Sequence, residues 1–153
     1  MKLAQIQMHV TADKAANLRH AEDLLRSVRG ADMAILPEMF CCPYDNACFR
    51  AYGEPEGGPA YQMLSRTARE LNLWLVGGSF PELDGDKIYN TAYVFDPTGT
   101  CVTRHRKMHL FDIDVQGGQS FRESATLSPG NDITLFDTPY GRIGLCICFC
   151  LLY

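Results

Sequence analysis

The apolar run Met33-Ala34-Ile35-Leu36 and its counterpart Leu73-Trp74-Leu75-Val76 decide the fold. Both runs are almost continuously apolar, which is typical of strands that other layers cover on both faces. Each run follows a segment of helical periodicity, residues 13–29 in the first case and residues 59–71 in the second. Residues 1–10 alternate apolar and polar side chains and predict a strand before the first helix. The resulting order β-α-β-α-β predicts an α/β domain.

Both predicted helices carry boundary signals. Thr11 or Asp13 can cap the first helix, and Gly30 stands at its expected end. Pro59 is favoured in a first helical turn, and we expect the second helix to stop at Asn72.

Two further pairs of β-rich runs predict antiparallel hairpins. One pair is residues 88–96 and 101–107, which are separated by Pro97-Thr98-Gly99-Thr100. The other is residues 133–137 and 142–149, around Pro139-Tyr140-Gly141. Hairpins added to parallel strands make the predicted sheet mixed.

The remaining segments predict surface loops and an unusual end. Residues 43–59 and 111–129 are loop-rich, and we expect them at the surface around a site. Residues 145–153 form an apolar run that we interpret as a strand with nothing after it to cover its faces. We therefore expect one domain over residues 1–153, truncated at its carboxyl end.

Composition excludes several classes of protein. Of the 153 residues, 46% are hydrophobic and 21% are charged, which argues against a disordered or collagenous chain. The formal net charge is -4, so we expect no nucleic-acid partner and no anionic lipid surface. No apolar run approaches the roughly 20 residues of a membrane-spanning helix. Seven cysteines without a secretory signal indicate free thiols in a reducing cytoplasm.

Three places combine a reactive group with the end of a predicted strand. Glu38 ends the run Ile35-Leu36-Pro37-Glu38, although a carboxylate there is more often an ordinary surface group. Residues 104–109, Arg-His-Arg-Lys-Met-His, put Lys107 and both histidines on one side of a strand, or simply form a charged strand edge. Cys148 lies among apolar residues, where cysteine is usually a small buried hydrophobe.

A zinc site is the alternative use of the thiols. Structural zinc ligands usually come as pairs with two to four residues between them, whereas alternating strand positions do not converge on a tetrahedron. We therefore expect no metal site. The cysteines weighed for it form two groups, Cys41, Cys42 and Cys48, and Cys146, Cys148 and Cys150.

Together, four motifs in order closely resemble the nitrilase superfamily of carbon-nitrogen hydrolases. The resemblance extends from Met1 to about Phe149, and it is greatest to the ω-amidase and Nit-type branch. The motifs are Leu-Pro-Glu-Met-Phe at residues 36–40, Arg-Lys-Met-His-Leu-Phe-Asp at 106–112, Phe-Arg-Glu-Ser at 121–124 with Leu-Ser-Pro-Gly at 127–130, and Tyr-Gly-Arg-Ile-Gly at 140–144 leading to Ile-Cys-Phe at 147–149.

The resemblance implies a role for each matched residue. Cys148 is the expected nucleophile, and Glu38 is the general base that takes its proton. Lys107 is the cation beside the developing oxyanion, and the backbone N–H of Phe149 is a second oxyanion donor. Glu123 is the second glutamate, which positions substrate in some members of the family. No metal and no organic cofactor are implied.

The resemblance also implies a fold, an activity and an assembly. The fold is a four-layer α-β-β-α sandwich, of which this chain supplies the N-terminal half, usually completed as a homo-oligomer. The activity is release of ammonia from a small linear amide, such as a dicarboxylate monoamide, through a cysteine thioester. Two departures are that Cys150 replaces an aspartate and that the chain stops at Tyr153. The alternative is a truncated, inactive paralogue that binds the small molecule or pairs with a full-length subunit.

Overall fold

The computed structural model describes residues 1–152. These residues form three α-helices, ten strands and two short 3₁₀ helices, labelled η. In chain order they are β1 (Leu3–Gln5), α1 (Lys14–Ser27), β2 (Met33–Ile35), α2 (Asn46–Tyr52), α3 (Pro59–Leu71), β3 (Trp74–Val76), β4 (Phe80–Asp84), β5 (Lys87–Phe95), β6 (Cys101–Arg106), β7 (Asp112–Asp114), β8 (Ser120–Arg122), η1 (Glu123–Ala125), β9 (Thr134–Thr138), β10 (Gly141–Leu145) and η2 (Cys148–Leu152).

The central sheet is mixed, as the sequence predicts. β1, β2 and β3 run parallel, and β5 pairs antiparallel with the end of β3. β4 and β6 both pair antiparallel with β5, which completes a six-stranded sheet. The second predicted hairpin is also present, as β9 and β10. The two apolar runs therefore are neighbouring parallel strands within the core.

The helices and the β9–β10 hairpin lie against the central sheet. Helices α1 and α3 contact each other and share one apolar core with the sheet, which includes Leu25, Leu64 and Leu75. A separate apolar cluster joins the sheet to the hairpin, where the ring of Phe136 stacks on Trp74 with centroids 6.2 Å apart. The layers therefore follow the order helices, sheet, hairpin, which is an α-β-β arrangement.

The boundary signals of both helices are confirmed. The Asp13 side chain caps α1 by accepting a hydrogen bond from the Ala16 backbone N–H. Gly30, with φ of +94°, permits the left-handed turn that leads towards β2. Pro59 opens α3, and Asn72 ends it in the left-handed conformation.

Helix α3 receives its N-terminal cap from a distant residue. Its N-cap position is Gly58, which has no side chain to offer. The buried Glu54 side chain replaces it, because Oε1 accepts from the Ala60 backbone N–H at 2.7 Å. Oε2 of Glu54 pairs with Lys14 Nζ of α1, also at 2.7 Å. One carboxylate therefore joins the starts of both core helices.

Three expectations about local structure were wrong. Residues 43–59 are not loop alone, because they include α2, which Asp45 caps. The last strand ends at Leu145 and does not reach Phe149, because Cys148 has a positive φ of 46° that a strand cannot accommodate. Cys148 and Cys150 lie in η2, so the cysteines of residues 146–150 do not share a strand face. Tyr153 lies outside the described residues.

None of the helices in residues 1–152 has the length and apolar character that crossing a membrane requires.

Replacing Glu54 tests the shared cap. We expect Glu54→Ala to lower the free energy of unfolding by about 2–3 kcal/mol, because it leaves a buried N–H without an acceptor and Lys14 without its partner. Glu54→Gln keeps an oxygen acceptor and should cost clearly less. Urea denaturation followed by circular dichroism measures both, and an alanine variant within about 0.5 kcal/mol of wild type would contradict the account.

Candidate active site

Glu38 lies in a tightly held turn just after β2. The next residue, Met39, has a positive φ of 52°, which is uncommon for a side chain of this kind. Ser79 stabilises the turn, because its Oγ accepts from the Met39 backbone N–H and its own N–H donates to the Pro37 carbonyl. Gly78 permits this approach, since a Cβ there would lie 2.2 Å from the Pro37 oxygen. The turn therefore fixes the direction of the Glu38 side chain.

Lys107 follows β6 directly and is completely buried. Its backbone N–H donates to the Asn90 carbonyl at 2.8 Å, and its carbonyl accepts from the Gly130 N–H at 2.9 Å. Its Nζ lies 2.9 Å from Oε1 of Glu38 and 3.0 Å from Oε2 of Glu123. Burial lowers the pKa of Lys107, but the two carboxylates outweigh it and hold this pKa above its usual value. The side chain is therefore a fixed cation.

Glu123 begins η1 and is also fully buried. Its Oε2 accepts from the Phe111 backbone N–H, and its Oε1 accepts from the Tyr44 hydroxyl. The ring of Tyr44 packs against Phe49 and Phe121, with centroids 5.7 Å and 5.4 Å away. Glu123 thus has a donor on each oxygen besides Lys107, which is what a buried carboxylate requires.

Cys148 is the first residue of η2 and its side chain is exposed in the described chain. Its side chain lines the same cleft as Glu38, and both the Glu38 carboxylate and the Phe149 backbone N–H act on its sulfur. Partial burial and then the negative charge of Glu38 raise the pKa of the Cys148 thiol, although Lys107 opposes this. At neutral pH the sulfur is therefore a protonated thiol beside a carboxylate.

Three of the four predicted side chains form one connected group, and the fourth lies against it. Lys107 bridges Glu38 and Glu123, and Cys148 contacts Glu38. One ammonium between two carboxylates leaves the cluster with a net charge of about -1 when all three groups are ionised. Such a group can accept a proton from the thiol and can stabilise an anion that forms near the ammonium.

A small cleft reaches Glu38 and Cys148. Its volume is about 140 Å³, and it lies between the central sheet and β10. Aliphatic side chains form much of its wall, among them Ile35, Val76 and Leu145. Glu38 and Cys148 therefore face one shared space with a largely aliphatic wall.

The basic residues 104–107 place their side chains alternately on two faces, as the period of a strand predicts. His105 and Lys107 are buried, whereas Arg104 and Arg106 turn to the other face and pair with the buried Glu82. His105 lies outside the cluster, because its Nδ1 meets the Thr134 hydroxyl at 3.0 Å.

Within residues 1–152, no group of three or more His, Cys, Asp or Glu side chains has an arrangement that could hold a metal ion. Cys150 has a different contact, because its Sγ accepts from the backbone N–H of Met108 at 3.2 Å and of His109 at 3.5 Å. This contact ties η2 to the segment that follows Lys107.

Sequence reasoning missed three residues that support the cluster. Ser79 stabilises the Glu38 turn, Tyr44 binds Glu123, and Asn90 donates from Nδ2 to Oε1 of Glu38 at 2.7 Å. Asn90 left a signal, since it is an amide within a strand-like run that is otherwise largely apolar or aromatic. Tyr44 and Ser79 left none, because both lie in loops whose path the sequence does not fix.

Comparison with known proteins gives consistent results. The family model described as "Carbon-nitrogen hydrolase" matches residues 2–153. The chain is 48% identical to "Omega-amidase NIT2" of Danio rerio and 46% identical to that of Homo sapiens, over 97% of the chain and 54% of each relative. The chain therefore spans about half the length of these curated relatives.

Solved structures agree in fold. Saccharomyces cerevisiae Nit3, a member of branch 10 of the nitrilase superfamily, superposes with a TM-score of 0.87 at 36% identity. The superposition covers all of this chain and 57% of Nit3. The C. elegans NitFhit protein gives a TM-score of 0.83 at 25% identity, over 99% of this chain and 38% of that one.

Thiol labelling tests the electrostatics of the cluster. We expect the rate at which iodoacetamide alkylates Cys148 to keep rising from roughly pH 7 to 9, because the raised pKa keeps the thiol protonated at neutral pH. Glu38→Gln removes the charge that raises this pKa, so labelling near neutral pH should become severalfold faster. Peptide mass spectrometry gives the rate at each cysteine, with the exposed Cys146 as internal control. Unchanged or slower labelling in Glu38→Gln would contradict the account.

Proposed function

The chain belongs to the carbon-nitrogen hydrolase family, and on that premise we propose that its site releases ammonia from a small linear monoamide. The observation that carries the proposal is the buried Lys107 ammonium, held by Glu38 and Glu123 next to Cys148. Nucleophile, base and cation are the three groups that hydrolysis of an amide through a covalent intermediate needs.

The first step forms the thioester precursor. The Cys148 sulfur bonds to the amide carbon while its proton passes to the Glu38 carboxylate, and the carbonyl electron pair moves onto oxygen. The shared cleft of Cys148 and Glu38, and the electrostatic interaction between them, support this transfer. Because the resting sulfur is a thiol, proton transfer accompanies attack.

Two groups stabilise the oxyanion in this proposal. Lys107 supplies a full charge whose position is fixed before substrate arrives, and the Phe149 backbone N–H supplies a second donor. A fixed cation is worth most where water is excluded, and Lys107 is fully buried. Glu123 acts through Lys107, because their 3.0 Å contact keeps the ammonium from leaving the site.

The second half of the reaction returns the enzyme to its starting state. The carbon-nitrogen bond breaks as protonated Glu38 donates to the leaving nitrogen, which departs as ammonia. Glu38 then takes a proton from water, whose oxygen attacks the thioester carbon and expels the sulfur. Cys148 recovers its proton, so the sum is one amide and one water converted to one carboxylic acid and one ammonia.

The relatives supply the substrate class of the proposal. Two of those named omega-amidase are 46% and 48% identical to this chain, which favours a short dicarboxylate monoamide as substrate. We propose no metal and no organic cofactor, since every step above uses only side chains and one backbone N–H.

The proposal also covers the part of the domain that this chain represents. Since the chain covers 54% of its omega-amidase relatives, we take residues 1–153 as the N-terminal half of the α-β-β-α sandwich. In this proposal the complete domain is cytoplasmic and forms a homo-oligomer. The side of Cys148 that is exposed in the described residues is then available for the rest of the domain to cover.

Ammonia release tests the activity. The native-length protein should release ammonia steadily from glutaramate, the monoamide of a five-carbon dicarboxylic acid, and Cys148→Ala should lower the rate at least about a thousandfold. Hydroxylamine should trap the acyl group as a hydroxamate only when Cys148 is present. A rate that survives Cys148→Ala would exclude the thioester, and inhibition by a chelator would revive a metal mechanism.

The length of the native polypeptide chain distinguishes the proposed active enzyme from the inactive alternative. We expect the 153-residue chain alone to be inactive or nearly so, because an error of about 1 Å in the site costs on the order of a hundredfold in rate. The intact mass of the protein from its source cells decides which form to assay. A mass near 17.1 kDa with no turnover would favour the binding or subunit-pairing paralogue. A larger, active protein would favour the amidase.

A further inference from the structure

Asn90 lies on β5 and is fully buried beside the proposed base. We propose that Asn90 is a positioning residue that occupies Oε1 of Glu38 and so leaves Oε2 as the oxygen that takes the thiol proton. This inference rests on the proposed function, because it assigns the two oxygens of the same base to different tasks.

Oε1 of Glu38 accepts hydrogen bonds from two side chains. Asn90 Nδ2 donates to this oxygen at 2.7 Å, and Lys107 Nζ donates to it at 2.9 Å. A carboxylate oxygen has two lone pairs, so two donors fill Oε1. The Cys148 thiol, which lines the same cleft as Glu38, is therefore directed to Oε2. Without Asn90 the carboxylate would be held from one side only and could rotate about its last bond.

The main chain of Asn90 controls the other half of the site. Its carbonyl accepts from the Lys107 backbone N–H at 2.8 Å, where the chain leaves β6. Asn90 therefore contacts Glu38, the proposed base, through its side chain, and it contacts the backbone of Lys107 through its own carbonyl. Because one strand residue makes both contacts, the distance between base and cation is fixed by the sheet and not by a loop.

The unpaired oxygen of the Asn90 amide indicates the role of this residue. Asn90 Oδ1 is buried and has no hydrogen-bond partner among the described residues. Turning the amide over would set this oxygen against the Glu38 carboxylate, so the orientation is fixed by Glu38. An apolar side chain of similar size would avoid the unpaired oxygen altogether. Donation to Glu38 is thus the one contact that explains an amide at this position.

The experiment compares Asn90→Leu with wild type in the native-length protein, using glutaramate. Leucine fills a similar volume and removes the unpaired oxygen, so the urea midpoint should stay at or above that of wild type. We expect kcat to fall about 10- to 100-fold while KM changes less than about threefold. The acid limb of the pH–kcat profile should move to higher pH, because an anion that loses a donor accepts a proton more readily.

A neighbour on the same strand serves as control. Thr91 is equally buried and donates to Glu82, away from Glu38. Thr91→Val removes one buried hydrogen bond from β5 and should leave the acid limb where it is in wild type. Asn90→Ala is the second test variant, and rates are normalised to the amount of Cys148 that titrates with iodoacetamide, so that loss of folded protein does not count as loss of positioning.

The outcomes separate the two proposals. If wild type releases ammonia through Cys148 while Asn90→Leu and Asn90→Ala keep its kcat and acid limb, the role of Asn90 is overturned and the proposed function stands. If both variants lose stability and activity together with no movement of the acid limb, the residue is structural and the inference fails. If wild type shows no Cys148-dependent release, the proposed function fails and the inference fails with it.

Discussion

The candidate site depends on one buried cation. Lys107 is completely buried, and its ammonium lies within 3.0 Å of both Glu38 and Glu123. Removing one partner from a buried ion pair costs about 3–5 kcal/mol, because the other charge stays behind unpaired. Each of these three residues therefore needs the other two, and the segments that carry them must meet. This requirement links the turn after β2, the end of β6 and the start of η1.

The sheet satisfies this requirement with backbone contacts. β2 and β6 lie on opposite sides of β3 and β5, so Glu38 and Lys107 approach each other across the strand that carries Asn90. Glu38 is also held by a turn in which Ser79 makes three hydrogen bonds and Met39 has a positive φ. A non-glycine residue in that conformation costs on the order of 1–3 kcal/mol, and surrounding contacts must offset it. The strained backbone of Met39 and the Ser79 hydrogen bonds that hold it therefore lie together, next to the proposed base.

The sequence predicted the features that follow from period and composition. The apolar runs at residues 33–36 and 73–76 predicted buried parallel strands, and alternation in residues 104–109 separated the buried Lys107 from the paired arginines. It did not predict the end of β10, because the apolar residues after Leu145 suit a strand and only the conformation of Cys148 stops one. Tyr44 and Ser79 were missed for another reason, since their roles depend on partners far away in the chain, which no local pattern encodes.

Partial burial and the charge of the cluster together explain why the resting Cys148 sulfur is a thiol and not a thiolate. Two carboxylates surround one ammonium, so a third negative charge on Cys148 would be repelled by Glu38 and attracted only by the cation that Glu38 already engages. The same balance of charges favours the proposed attack of the Cys148 sulfur on an amide. In the proposed reaction, the thiol proton moves to Glu38, so that the carboxylate becomes neutral and the ammonium loses a partner just as a new anion forms on the carbonyl oxygen. The site keeps its net charge throughout, and Lys107 exchanges one oxygen anion for another instead of acquiring a second.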